Sequence, residues 1–476
     1  MKKYIVIALM TLAAFTGCQD FLVEEPILSQ SNEMTLGTYD GLNKSVAGAY
    51  APLASSSWYG ADFIIRNELK TSNGKKWIGS TYDSGRCNDL YNINQNSNNT
   101  SALWGSAYYV ISAVNNVIDN LEGKESDDVT AQDLNNLKAE CLFLRALSHF
   151  DLVRTYSQPY SFTADASHLG VPVVLHTDPK GQPARETVAK VYEQIVADLT
   201  EAEKIIDPAY VRTGVEDAKG VVTLEAIQAM LSRVYLYCEQ WQNSADYAKK
   251  VIDSKKYSLW TAAELNVNAD NFVYAADVPT GGEVIFEVYG SKSNTYDAYR
   301  DGLSPMCGPN GYGDAGASTD LVNLYEDGDV RGTLFQEADG VIWTAKYIGK
   351  GIATPDLTNT IVIRLSEMYL NIAEAVLNGA TGHDGPAALK AIADSRGATP
   401  QNVTSDGVFT ERHKELAWEG HLWFDLARTG RAMTRVDFVG DESAREVQPG
   451  DIRWAMPIPF REFGVNPNLV QNEGYK

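Results

Sequence analysis

Apolar residues recur along much of the chain at helical spacing. Ala139, Phe143, Ala146, Phe150 and Val153 follow one another at intervals of three and four, as do Leu224, Ile227, Leu231, Val234 and Cys238. This period gathers apolar side chains on one stripe and predicts amphipathic helices. A short break at 239–243 separates the second run from Ala245, Ala248 and Ile252, which continue as a partner helix. Helix, turn, helix is the unit of a tetratricopeptide-type array. The same grammar returns at Leu365–Asn378 followed by Ala388–Arg396. It returns more loosely at Val110–Leu121 followed by Leu134–Tyr156, and Val188–Ile206 adds another helix. No segment matches the strict consensus of such repeats. The pattern predicts a mainly α chain, a degenerate tetratricopeptide-like helical-pair scaffold with long loops and a few short β-strands.

Between the helical pairs the period is lost. Ser55–Ser101, Tyr289–Thr319 and the end of the chain read as polar, aromatic loops, and Val284–Tyr289 is β-branched and aromatic enough for a short strand. Loops this long in a compact domain are usually functional. The helices are therefore expected to frame the molecule and the loops to carry its chemistry.

Composition narrows the function classes. The chain has 476 residues with 44% hydrophobic content and a formal net charge of -22. An acidic, mixed-charge surface argues against nucleic acid, whose phosphates demand a positive stripe. Lys2 and Lys3 precede an apolar stretch from Tyr4 to Phe15, shorter than the roughly 20 residues that span a bilayer. It reads as a secretory signal over residues 1–17. FTGC at 15–18 resembles a bacterial lipobox, with Phe15 where Leu is usual. That resemblance implies cleavage before Cys18 and acylation of its thiol; the alternative is an ordinary signal with an incidental cysteine.

The remaining cysteines are Cys87, Cys141, Cys238 and Cys307, with no C-x-x-C pair among them. Cys141 and Cys238 sit on apolar stripes, as buried thiols do. Cys87 and Cys307 lie in loop-like sequence, where pairing is left open. Asp327 and Asp329 in EDGDVRG hint at a calcium loop, but the twelve-position pattern is missing and a turn is expected. No phosphate-binding or dinucleotide fingerprint and no H-E-x-x-H occurs. No metal and no cofactor is expected.

Residue types used in catalysis crowd into HKELAWEGHLWFDLARTG, His413–Gly430. On a continuous helix, Trp418, His421, Asp425 and Arg428 would form one polar stripe, with Asp425 accepting from His421 and Arg428. Leu416, Gly420, Trp423 and Ala427 would form an apolar stripe facing the core. One helical turn could also bring Glu415 and Glu419 to the carboxyl separation of a glycosidase. The favoured reading is a helix-docking network, with no catalytic residue in the chain.

A sugar site needs flat aromatic faces beside hydrogen-bonding side chains. The window Trp58–Tyr109 holds Trp58, Tyr59, Trp77, Tyr82, Tyr91, Trp104, Tyr108 and Tyr109, about twice the frequency of a chain with 9 Trp and 25 Tyr. Trp104 and Tyr108 fall one turn apart at a helix start and read as packing residues. Trp77, Tyr82 and Tyr91 stand in polar sequence with several asparagines, Asn96 among them, and are the candidate ligand contacts. Tyr296, Arg300 and Tyr312, within SKSNTYDAYRDG and GPNGYGDAG, form a second candidate surface. The alternative for each is a loop pinned by its own aromatics.

The order of several segments resembles the SusD/RagB family. These are LKAECLFLRALSHFDLVRTYSQPY, QPARETVAKVYEQIVADLTEA, MLSRVYLYCEQWQNSADYAKKVI, VIRLSEMYLNIAEAVLNG, ERHKELAWEGHLWFDLARTG and the closing PIPFREFGVNPNLVQNEGY. The resemblance implies one SusD-like domain over 18–476, with aromatic loops inserted around 55–101 and 289–319. It implies a non-catalytic, lipid-anchored, surface-exposed lipoprotein of the outer membrane, active in polysaccharide utilisation and nutrient uptake. Such proteins capture an oligosaccharide for a TonB-dependent SusC-like porin. RagB-like members imply peptide capture as the alternative, and a glycoside hydrolase is the outlying one. The His413–Gly430 motif is implied to be the family's scaffold signature. Leu422 stands where the family more often has Arg.

Overall fold

The computed structural model describes residues 35–98, 100, 102–215, 218–275, 282–290, 301–349 and 358–475. Cys18, Tyr296 and Arg300 lie outside the described residues.

The main helices are α1 (Tyr39–Tyr50), α2 (Asp62–Leu69), α3 (Leu103–Ile118), α4 (Ala131–Tyr156), α5 (Val188–Ile205), α6 (Leu224–Tyr237), α7 (Trp241–Asp253), α8 (Leu365–Leu377), α9 (Gly385–Arg396), α10 (Ser405–Leu416) and α11 (Leu422–Arg428). From α3 to α9 each helix packs on the next in the chain, which is the nearest-neighbour order of a helical-pair array. Threonine starts many of them. Thr38, Thr130, Thr187, Thr223 and Thr404 each accept a backbone N–H of the first turn, satisfying donors that a helix start leaves open.

α4 departs from the amphipathic expectation. Every residue from Ala139 to Tyr156 is buried, because α1, α3 and α5 pack around it. Its polar side chains are matched from those neighbours and from the chain nearby. Glu140 accepts from Tyr50, Tyr210 and Arg212. Arg145 forks onto Asp198 at 2.8 and 2.6 Å, and Asp151 accepts from Trp58, Tyr59 and Arg154. A buried charge is tolerated only when paired in this way.

Strands are few and paired antiparallel: β1 (Gly74–Lys75) with β3 (Gly316–Ala317), β2 (Val284–Val288) with β6 (Thr360–Arg364), β4 (Phe335–Ala338) with β5 (Val341–Thr344), and β7 (Met433–Thr434) with β8 (Glu446–Val447). β2 lies where β-branched and aromatic residues place it. Ser55–Ser101, read as a loop, instead contains α2, whose Phe63, Ile64, Ile65 and Leu69 are buried. One apolar core runs from Leu42 to Leu469, with a smaller cluster around Trp260 and Val284. Cys87, Cys141, Cys238 and Cys307 are all buried free thiols. Among the described residues no helix is long and apolar enough to cross a membrane.

Candidate functional site

The crowded stretch at His413–Gly430 is not one helix. α10 ends at Leu416 and α11 starts at Leu422. Between them Trp418 has φ +62 and Gly420 φ +79, left-handed conformations that end a helix and that a bulky side chain rarely adopts. Neighbouring side chains fasten the break. Lys346 Nζ donates to Ala417 O at 2.7 Å, Tyr347 OH to Trp418 O at 2.5 Å, and Gly420 N to Glu68 at 2.6 Å. The polar stripe predicted for a continuous helix therefore does not form. Asp425 accepts from Arg412 and Arg428, whereas His421 Nδ1 is buried without a side-chain partner among the described residues.

Glu415 and Glu419 are buried as well, and cations enclose them. Glu415 takes Arg331, Arg364 and Arg396 at 2.9, 2.5 and 2.6 Å. Glu419 takes Lys346 at 2.5 Å and Arg364 at 2.8 Å. Arg364 and Arg396 also share Glu283. Burial alone would raise both carboxyls, but Arg396, Arg364 and Arg331 hold Glu415 well below the usual range, and Arg364 and Lys346 hold Glu419 below it. A glycosidase needs one carboxyl protonated and both facing a substrate cleft. These two are held in the ionised form by their cations, with Glu415 in the last turn of α10 and Glu419 in the break that follows it. Asp329, of the possible calcium loop, is likewise taken by Arg331 and Lys414 at 2.8 and 2.7 Å. Among the described residues no cluster of His, Cys, Asp or Glu could hold a metal ion.

A different arrangement arises where the two aromatic loops meet. β1 pairs with β3 in the register Gly74↔Ala317 and Lys75↔Gly316, so the segment after Lys75 lies against the segment before Gly316. Asp314 fixes that approach, accepting the backbone N–H of Ser84 at 2.7 Å and of Cys87 at 2.8 Å. Buried Lys76 joins them, 2.9 Å from Asp83 and 3.6 Å from Asp314. Its hydrogen bond holds the Asp83 carboxyl below the usual range.

Trp77, Tyr82 and Tyr312 project from this junction and are each half-buried. β5 adds Trp343, whose ring meets Tyr82 edge-on with centroids 4.9 Å apart. Gly313, at φ +60, makes the contact possible: a Cβ there would stand 2.7 Å from both rings. Tyr82 OH reaches Asp339 at 3.2 Å. Lys75 Nζ sits 4.3 Å from the Trp77 ring centre and the Arg86 guanidinium 4.0 Å from that of Tyr312, in cation–π contact. The Nε1 of Trp77 and of Trp343 are buried and have no partner among the described residues. Trp77 Nε1 faces Gly316, where a Cβ would stand 2.6 Å from it, so the surface open to a ligand is the half-exposed rings of Trp77, Tyr82 and Tyr312 with exposed Asp339 beside them.

The structure thus brings Trp77, Tyr82 and Tyr312 together and overturns Tyr91. Tyr91 is fully buried, its ring 4.8 Å from Phe438 and its hydroxyl accepting from Val439 N. A one-turn helix, Asn88–Tyr91, turns it inward. Asn96 is exposed and accepts from Asn98 N at 3.0 Å. Its loop lies on the C-terminal segment, where Phe460 N donates to Ser97 O and Tyr475 OH to Gln95. Trp343 and Asp339 were not anticipated. The β-rich VIWT around Trp343 was the available signal, and nothing local pairs it with a loop some 260 residues earlier.

Comparison with known proteins gives the family. The model described as starch-binding associating with outer membrane matches residues 20–236, and the SusD family model matches 336–475. A SusD superfamily protein of Bacteroides thetaiotaomicron VPI-5482 is 30% identical, superposes with a TM-score of 0.80, and is matched over 91% of this chain and 99% of that one. The chain belongs to the SusD/RagB family. A SusD superfamily protein of Bacteroides vulgatus ATCC 8482, 29% identical over 92% of this chain and 99% of its own, has a TM-score of 0.81. At 20% identity, surface glycan-binding protein A of Bacteroides thetaiotaomicron, solved with laminarihexaose, shares the SusD-like fold with a TM-score of 0.72 over 91% and 99% of the two chains. Around the helix break at Trp418–Gly420 the ion-paired groups Glu415, Glu419, Lys346 and Arg364 are buried, and so is Leu422.

Proposed function

We propose that this SusD-family chain is a non-catalytic glycan-capture protein, held at the outer membrane by acylation of Cys18, which passes oligosaccharide to a TonB-dependent SusC-like porin. The observation that carries the reading is the aromatic shelf, where the half-exposed rings of Trp77, Tyr82 and Tyr312 are backed by Trp343 and stand beside exposed Asp339. A pyranose packs its C–H face on such rings. Asp339 accepts from a sugar hydroxyl, and the Tyr82 hydroxyl beside it donates or accepts. Tyr296 and Arg300 complete the proposed contacts. The laminarihexaose held by surface glycan-binding protein A supports a glycan as the class of ligand. The family description, starch-binding and associated with the outer membrane, supports the location.

Calorimetry of the purified chain against oligosaccharide series of different linkage, with unrelated peptides in parallel, tests the proposal. Saturable binding of at least one oligosaccharide series is expected. Binding of peptides with no oligosaccharide bound would instead assign the shelf to peptide capture.

A further inference from the structure

A second set of rings and polar atoms lies on the helical scaffold, in a cleft of about 400 Å³ that shares no lining residue with the shelf. It is bounded by the α6–α7 turn, the end of α8, the start of α10 and the end of α11. Its size is that of a small-molecule site. Tyr237 lines it, only 4% exposed, and its hydroxyl has no partner among the described residues. Trp241 and Phe409, both half-buried, supply aromatic surface.

The charges in the wall are already matched. Arg428 Nη2 bonds Glu374 at 2.8 Å, and Arg431 bonds Ser405 and Asp406 while its guanidinium lies 4.4 Å from the centre of the Phe409 ring. Exposed Glu239 at the cleft pairs with no cation among the described residues. A carboxylate or phosphate ligand would find both guanidiniums engaged and a free carboxylate facing it. What the cleft offers is ring faces, hydroxyls and hydrogen-bond acceptors. Tyr237 and Arg428 also bound a cavity of about 20 Å³ behind the cleft, where Ser157 Oγ and Gln158 Oε1 have no partner among the described residues. That is room for one water.

We propose that the 400 Å³ cleft is a second ligand site, taking a neutral, hydroxyl-bearing ring compound of one or two sugar units, with the Tyr237 hydroxyl as a buried hydrogen-bonding contact. The site is independent of the shelf. The competing account gives the Tyr237 hydroxyl entirely to the water behind it.

Fluorine NMR of the full chain carrying 5-fluorotryptophan separates the two, with the Trp241 signal assigned by its loss in Trp241→Phe. Maltose, cellobiose and lactose are titrated to tens of millimolar into the wild-type chain and into Tyr82→Ala, which disables the shelf. The Trp241 signal is expected to shift saturably with at least one disaccharide and to do so equally in Tyr82→Ala. Tyr237→Phe keeps the ring and should weaken that binding about two- to tenfold, as loss of one hydrogen bond does. Phe409→Ala, at a half-exposed ring, is the second variant and should weaken it by a similar factor. A Trp241 signal unmoved by all three sugars overturns the site. Titrations unchanged in both Tyr237→Phe and Phe409→Ala overturn it too and assign the hydroxyl to the water. Shelf failure alone would leave the Trp241 response intact, so the two readings fail separately.

Discussion

Two regions of this molecule hold the side chains from which sites are made, and they are used in opposite ways. Around Trp418–Gly420, acids, arginines and lysines are buried and bound to one another, so that Glu415 alone meets three guanidiniums. On the shelf, Lys75, Lys76 and Arg86 are again paired, but the Trp77, Tyr82 and Tyr312 rings stay half-exposed and exposed Asp339 pairs with no cation among the described residues. Residue type does not separate scaffold from site. Accessibility does: Trp418 Nε1 and His421 Nδ1 also lack partners among the described residues, but in a closed core, whereas the Trp77, Tyr82 and Tyr312 rings are open to a ligand.

The comparison breaks first if the signature core can be cut without consequence. Arg364→Ala leaves Glu283, Glu415 and Glu419 short of a cation and should cost about 3–5 kcal/mol, read as a lower denaturant midpoint, with the shelf residues untouched. Tyr91→Ala should behave alike, about 3–5 kcal/mol in stability from an emptied core position.

A smaller effect comes from Glu68, which is buried and accepts from Asn73 and Gly420. Burial outweighs those hydrogen bonds and pushes its carboxyl up to about 7. The folded state then holds a proton that the unfolded chain has released. Its stabilising contribution is full below about pH 4.5 and is lost as pH rises through 7. Glu68→Gln should therefore gain on the wild type by about 2 kcal/mol between pH 5 and pH 8, measured by denaturant unfolding at both. An unchanged difference would mean that Glu68 is ionised throughout.

On the shelf the expected losses are in binding. Tyr82→Ala should weaken oligosaccharide affinity about tenfold, or 1.4 kcal/mol, without moving the unfolding midpoint. Asn96→Ala, whose loop lies against the C-terminal segment, should change affinity less than about twofold.

The helices were legible because their information is local. Runs such as Leu224–Cys238 and Leu365–Asn378 carry a 3.6-residue period, and helices stand at Leu224–Tyr237 and Leu365–Leu377. The break after Leu416 was not legible. A tryptophan at φ +62 has no sequence signature, and it is held by Lys346, Tyr347 and Glu68 from distant segments. On the shelf, aromatic enrichment pointed to Trp77, Tyr82 and Tyr312, but it equally pointed to Tyr91, which meets Phe438 in the core. Which aromatic faces outward depends on a partner far along the chain, as with Trp343, whose ring meets Tyr82 edge-on across Gly313. Composition found the neighbourhood, and tertiary contacts chose its members.

The most direct test of the central claim is one calorimetric titration of a bound oligosaccharide into the double variant Trp77→Ala/Tyr82→Ala and, beside it, into Glu419→Gln. The account predicts that the shelf variant loses binding while unfolding close to the wild-type midpoint, and that Glu419→Gln binds with wild-type affinity while unfolding earlier. Undiminished binding by the shelf variant, or lost binding in a folded Glu419→Gln, would contradict it.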